Sequence, residues 1–154
     1  LSIFNKMTQR EALEKIKRYC AYQERCQSEV RQKLYSFGLD SEHIENILCS
    51  LIEENFIDEE RFTKVFVRGK FRHKKWGKIK IKQHLKQKDI SEYCIKKGFE
   101  EINKEDYLKT LDEILLKKSD TLVNENKFIR KQKTIKYAMS RGFEYELICD
   151  LLSD

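Results

Sequence analysis

The chain is 154 residues long and carries 32 Lys and Arg against 26 Asp and Glu, a net charge of +6, with 38% charged and 40% hydrophobic residues, no Pro and only 5 Gly. That length suits one ordinary domain or a few small modules, and the composition is that of a soluble, helix-rich protein. No stretch approaches about eighteen apolar residues, and the opening LSIFNKMTQ lacks the basic, apolar, small-residue order of a signal peptide, so neither a membrane span nor export is expected and the cytoplasm is the expected location.

In chain order, Thr8-x-x-Glu11 reads as a capping box opening the first helix. Ser28 is placed to cap a second helix, and Gly38 to end it in the left-handed conformation that glycine tolerates best. Asp40 or Ser41 then starts a third helix running to about Glu54. Asp58, with Glu59 and Glu60 behind it, puts acids at the positive end of the next helix.

From Thr63 to Lys88 there is no carboxylate, and this stretch holds Lys64, Arg68, Lys70, Arg72, Lys74, Lys75, Lys78, Lys80, Lys82, Lys86 and Lys88. The segments on either side are net acidic, with nine basic residues against twelve acidic before the tract and twelve against fourteen after it. Many basic runs are only solvated helix faces. Here Phe62, Val65, Phe66, Ile81 and Leu85 recur at helical spacing, so the tract is expected to fold and to present its cations on fixed faces. Lys64, Arg68, Arg72 and Lys75 step by four, four and three along one predicted helix, and Lys78, Lys82 and Lys86 step by four along the next. Such rows can follow a phosphate backbone, and they make this tract, with Trp76, the candidate nucleic-acid site. Trp76 sits at the junction of the two helices. It reads first as an apolar plug where Gly77 lets the helices approach, and second as a stacking platform for a base. Phe71 is read as core.

Beyond the tract, Asp89 stands where a turn residue is needed, Ser91 and Asn103 are placed as helix caps, and Ser119 to Asn126 is the one loop of any length. The chain repeats on itself. Val30, Leu34, Gly38, Leu39, Ile44 and Leu48 fall against Ile81, Leu85, Asp89, Ile90, Ile95 and Phe99 at a shift of about 51 residues. A further shift of about 53 brings in Thr134, Ala138, Gly142, Phe143, Ile148 and Leu152. The expected fold is all-α, built from three tandem three-helix units at 8–57, 58–103 and 104–154, each too small to bury a core alone. Leu34, Leu85, Ile44 and Ile95 are the predicted core of that stack.

No catalytic chemistry is legible. There is no phosphate-cradling glycine loop, no GxSxG and no HExxH, and the acidic pairs are adjacent in sequence, so on a helix their side chains diverge. His43, His73 and His84 are isolated, and the five cysteines form no CxxC pair and are read as reduced thiols packed as small apolar groups. No catalytic residue, metal-ligand set or cofactor is expected.

Three phrases carry a resemblance. They are Tyr22-Gln23-Glu24-Arg25-Cys26-Gln27-Ser28-Glu29-Val30 leading to Lys33-Leu34 and Gly38, then Leu51-Ile52-Glu53-Glu54-Asn55-Phe56-Ile57-Asp58-Glu59-Glu60-Arg61-Phe62, and Gly77-Lys78-Ile79-Lys80 running to Leu85 and Ile90. With them the chain, over about residues 10 to 152, resembles the RecX family of small regulators of the bacterial recombinase RecA. The resemblance implies three three-helix units in an elongated, curved arrangement. It also implies binding in the groove of the RecA filament on DNA, with suppression of ATP hydrolysis and strand exchange. Asp89 departs from the Gly common in the middle unit of that family, and Thr134 and Ala138 mark the third unit as the most diverged. The partners expected are the RecA filament and single- or double-stranded DNA without sequence preference, and a monomer is expected. The alternative is a free-standing DNA-binding protein using one helix for recognition. A tract made almost entirely of Lys argues against base reading, because Lys lacks the flat, forked donors of Arg and the paired groups of Asn and Gln.

Overall fold

The computed structural model describes residues 7–153, and among them the chain forms nine α-helices and no strand. They are α1 (Gln9–Tyr22), α2 (Gln27–Ser36), α3 (Ser41–Glu53), α4 (Glu59–Arg72), α5 (Lys78–Gln87), α6 (Glu92–Phe99), α7 (Lys104–Asp120), α8 (Lys127–Ser140) and α9 (Tyr145–Leu152). Helix starts follow local chemistry. Thr8, Asp40, Asp58, Ser91, Asn103 and Asn126 each accept a hydrogen bond from a backbone N–H of the first turn they precede. Ser28 does not cap α2 as expected; it lies inside the first turn, and Cys26 holds the cap position. The orphan donors there are met by carboxylates instead. Cys26 N–H donates to Glu29 at 3.4 Å, and Gln27 N–H donates at 3.0 Å to Glu59 at the start of α4.

The turn closing each second helix is left-handed in all three copies. Gly38 has φ 83°, Asp89 φ 60° and Gly142 φ 96°. Asp89 thus takes the backbone state read for it from the repeat, a state that short polar side chains tolerate. Lys75 and Asn55 are also left-handed, with φ 56° and 63°, and neither was expected.

Packing follows the repeat. Leu34, Leu85, Ile44 and Ile95 are all buried, as predicted, and so is Phe71. Val65 is 45% exposed, a correction to its expected place in the buried stripe: one step from Phe66 on a helix turns it toward solvent. Cys49 is likewise exposed rather than packed. The expected loop at Ser119–Asn126 begins later, because Ser119 and Asp120 complete the last turn of α7.

The apolar side chains form two cores. Ala12, Ile16, Val30, Leu34, Ile44, Leu48 and Leu51 close one among α1, α2 and α3. The other is continuous from α4, α5 and α6 into α7, α8 and α9, joining Phe71, Leu85 and Ile95 to Tyr107, Leu111, Ala138, Phe143 and Ile148. The diverged positions Thr134 and Ala138 fit inside it. Ala138 is fully buried, and the Thr134 hydroxyl is satisfied by the Arg130 carbonyl at 2.8 Å.

Candidate nucleic-acid interface

α4 begins acidic at Asp58, Glu59 and Glu60 and ends basic at Lys70 and Arg72, an order that complements the helix dipole at both ends. The chain then turns through residues 73–76. Lys75 N–H bonds the Phe71 carbonyl at 3.0 Å and Trp76 N–H the Lys70 carbonyl at 3.1 Å, which folds Trp76 back beside Lys70. Lys75 belongs to this turn and not to the α4 row of cations in which its spacing had placed it.

Trp76 packs half-buried against the second core, which agrees with its reading as an interhelical plug. Its ring is also the centre of a cationic cluster. Lys70 Nζ lies 4.9 Å and Lys80 Nζ 4.7 Å from the ring, and the His84 ring packs against it, tilted by 43°, with its centroid 4.5 Å away. Partial burial, then the charges of Lys80, Lys70 and Lys88, hold the His84 imidazole below its ordinary pKa.

The carboxylate-free tract is not a carboxylate-free surface. Lys64 pairs with Glu60 at 3.6 Å, Arg68 with Glu101 at 3.7 Å, Lys82 with Glu92 at 3.6 Å and Lys88 with Glu29 at 3.9 Å, and Lys86 also meets Glu92. The row Lys78, Lys82, Lys86 therefore divides. Lys82 and Lys86 converge on Glu92, while Lys78 turns inward with its Nζ 4.9 Å from the Tyr107 ring. Among the described residues Lys70, Arg72, Lys74, Lys75 and Lys80 make no ion pair, and they gather around the turn between α4 and α5.

That turn is fastened to the last unit. Gly77 N–H donates to the Arg141 carbonyl at 2.8 Å and Ile79 N–H to the Gly142 carbonyl at 3.0 Å, while Lys78 N–H donates to the Tyr107 hydroxyl at 2.9 Å. The Tyr107 hydroxyl in turn donates to Glu144, and burial together with that bond pushes its pKa far up. The Arg141 guanidinium reaches back to the Lys74 carbonyl. In the first turn of α5 the Ile79 N–H is thus met by the α8–α9 turn and the Lys78 N–H by Tyr107, not by a side chain at the cap, since Gly77 has none. Two glycines make the approach possible: a Cβ on Gly77 would overlap the Gly142 carbonyl and sit 2.5 Å from the Phe143 nitrogen. Arg141 and Tyr107 escaped the sequence reading, and Gly142 was read only as a turn of the repeat, because their role is set by a contact between units, which the repeat alone does not reveal.

Family models for the first, second and third three-helix domains of RecX match residues 12–51, 58–98 and 105–152. The chain belongs to the RecX family. Among curated relatives, it is 28% identical over 132 residues to Regulatory protein RecX of Clostridium acetobutylicum, covering 83% of this chain and 61% of that protein. It is 31% identical over 127 residues to Regulatory protein RecX of Clostridium tetani, covering 81% of this chain and 58% of the relative. The match to Regulatory protein RecX of Streptococcus uberis is 29% identical and spans 84% of this chain but 50% of the relative. This chain thus spans about half to three-fifths of the curated relatives it matches. A crystal structure of regulatory protein RecX superposes with a TM-score of 0.86 at 25% identity, covering 95% of this chain and 72% of that one. RecX from Lactobacillus salivarius has the same fold, with a TM-score of 0.84 at 19% identity over 94% of each chain.

Proposed function

We propose that this RecX family chain is a non-enzymatic cytoplasmic regulator of homologous recombination and DNA repair, which as a monomer binds the RecA filament on DNA and inhibits its ATP hydrolysis and strand exchange. The observation that carries the reading is the cluster of unpaired cations Lys70, Arg72, Lys74, Lys75 and Lys80 at a turn held in place by backbone hydrogen bonds to the last unit. A rigid, Lys-rich surface attracts phosphates through counterion release and positions a protein without reading sequence. Lys64, Arg68, Lys82 and Lys86 extend that surface on either side. Their exposed ion pairs are worth about 0 to 1 kcal/mol each, so exchanging a carboxylate for a phosphate there costs little. Lys78 and Trp76 belong to the same surface at its inner edge, where each also packs.

The test is inhibition of the filament's ATP hydrolysis by the parent and by the double variant Arg72→Glu, Lys74→Glu. Both side chains are exposed and outside the two cores, so the variant is expected to keep its helical content and Tm and to lose inhibition. The parent should bind recombinase-coated DNA more tightly than bare DNA. With about six cations meeting phosphates, the log of its affinity for bare duplex should fall against log salt with a slope near −5. Undiminished inhibition by the variant would sink this reading. Strong sequence preference on bare DNA with indifference to the recombinase would favour a free-standing DNA-binding protein.

A further inference from the structure

A second group of cations adjoins the α4–α5 surface and shares Lys75 with it, around a cavity of about 420 Å³ between the ends of α7 and α8 and the α4–α5 turn. That volume falls within the range of about 300 to 1,000 Å³ usual for small-ligand sites. Lys75, Lys117, Lys118 and Arg141 line it, with Glu113 the one carboxylate, and none of these five makes a side-chain ion pair among the described residues. Three of the four cations are held by a local device. Lys75 stands on a left-handed backbone, a costly state for a long side chain and one found disproportionately at binding sites. Lys118 lies with its Nζ 4.8 Å over the Tyr137 ring. Arg141 ends α8 and is anchored on the Lys74 carbonyl. Between the cations the wall is mostly apolar, with Ile114 and the Tyr137 ring as its aromatic and aliphatic parts.

Another cavity, of about 480 Å³ between α2 and α5, differs in charge. Its Arg31 and Lys88 are offset by Glu29 and Asp89, and both cations are already paired. Four cations lining one cavity against one carboxylate leave an excess of positive charge there, which favours an anion. A bare phosphate would satisfy the charge but leave most of the volume and the whole apolar wall unused. A phosphate joined to a flat, stackable ring uses both.

The geometry points to a site for one nucleotide unit, its phosphate against Lys75, Lys117, Lys118 and Arg141 and its base against Tyr137 and Ile114. The unit can come from a strand lying across the adjoining α4–α5 surface or from a free nucleotide. Only the first source rests on the function proposed above.

The experiment measures affinity for a fluorescein-labelled oligothymidylate and for an abasic strand of the same length, with ATP as competitor, in the full chain and in Tyr137→Ala and Lys117→Ala. Tyr137 is 38% exposed and Lys117 is exposed, so both variants are expected to fold, which circular dichroism checks, and Tyr137→Phe should restore any loss due to stacking. Tyr137→Ala is expected to weaken the oligothymidylate about tenfold, the size of one base–aromatic stack, and the abasic strand by less than about twofold. Lys117→Ala should weaken both strands and lower the salt slope by about one. Displacement of the strand by ATP would assign the site to free nucleotides, and no displacement, with the stacking loss intact, to the strand. The inference is overturned if Tyr137→Ala binds the base-bearing strand as the parent does, or weakens both strands equally. If the parent binds no strand at all, the function proposed above fails; ATP binding that depends on Lys117 and Tyr137 then decides this site by itself, and its absence overturns it.

Discussion

Gly77 and Gly142 touch backbone to backbone, and this contact decides how the basic turn is held. A methyl at Gly77 would meet the Gly142 carbonyl, which is backbone and cannot swing away, and would break the bonds from Gly77 and Ile79 to the α8–α9 turn. Gly77→Ala is therefore expected to cost about 1 to 3 kcal/mol, as overpacking does. Gly69 gives the opposite expectation. It lies within α4 with nothing within 4 Å of an added Cβ, so Gly69→Ala should stabilise by about 0.5 to 1 kcal/mol. Chemical denaturation of the two variants checks both signs. Equal destabilisation by both would mean that the seam is not what Gly77 serves. At this scale the sequence was legible where the cause is local. The repeat marked Asp89 as a left-handed turn residue, and the side-chain caps at Thr8, Asp58, Ser91 and Asn103 follow from their neighbours. It was not legible where the partner is remote: Glu59 serving the start of α2 lies 32 residues from Gln27.

α4 and α5 follow their apolar periodicity closely enough to bury Phe62, Phe71, Ile81 and Leu85, so their faces were readable. Their charges were less so, because Glu92 and Glu101 return from later elements to neutralise part of the tract. What survives is the cluster in which Lys70 of α4 and Lys80 and His84 of α5 surround Trp76. His84 prefers its neutral form there, so its folded-state pKa lies below the unfolded value of about 6.5. The unfolded chain then binds the proton more readily. The stability linked to His84 is fully present above about pH 6.5 and is lost as the pH falls through that value toward the lower folded pKa. Trp76 is the one tryptophan, so its emission should change with a midpoint below about 6.5, and His84→Gln should remove the change. Duplex DNA meeting Lys70 and Lys80 offsets their repulsion and should move the midpoint upward. A midpoint that ignores saturating DNA would place the phosphates elsewhere on the surface.

Across the whole molecule, three repeats have condensed into two cores. Reading units from sequence periodicity treats every junction alike, but the junctions differ in chemistry. The second and third units share buried apolar side chains, with the Phe71 and Tyr107 rings 5.8 Å apart across the junction and Tyr107 packed in turn on Phe143 at 5.1 Å within the third unit. The first unit meets the second through one buried thiol, Cys26, which packs into the second core, and otherwise through polar groups: Gln27 N–H on Glu59, Arg61 on Glu24 at 2.6 Å and Lys88 on Glu29. Apolar sharing couples two units strongly, because opening either one exposes part of the other's core, whereas part-exposed ion pairs contribute little. The molecule is therefore expected to open in two cooperative pieces, residues 8–57 and residues 58–153. Leu34→Ala and Leu85→Ala remove equivalent, fully buried side chains and should each cost about 2 to 5 kcal/mol. Their consequences should part at the seam. Native-state hydrogen exchange in Leu34→Ala should quicken in α1, α2 and α3 and leave α4 to α9 protected, while Leu85→Ala should quicken α4 to α9 together, including α8, which lies a full unit away. Uniform loss of protection along the chain in either variant would show one cooperative body. Loss confined to α4, α5 and α6 in Leu85→Ala would show three independent units. The two-piece outcome alone keeps the basic turn and the nucleotide cavity rigid with respect to each other while the first unit is free to open.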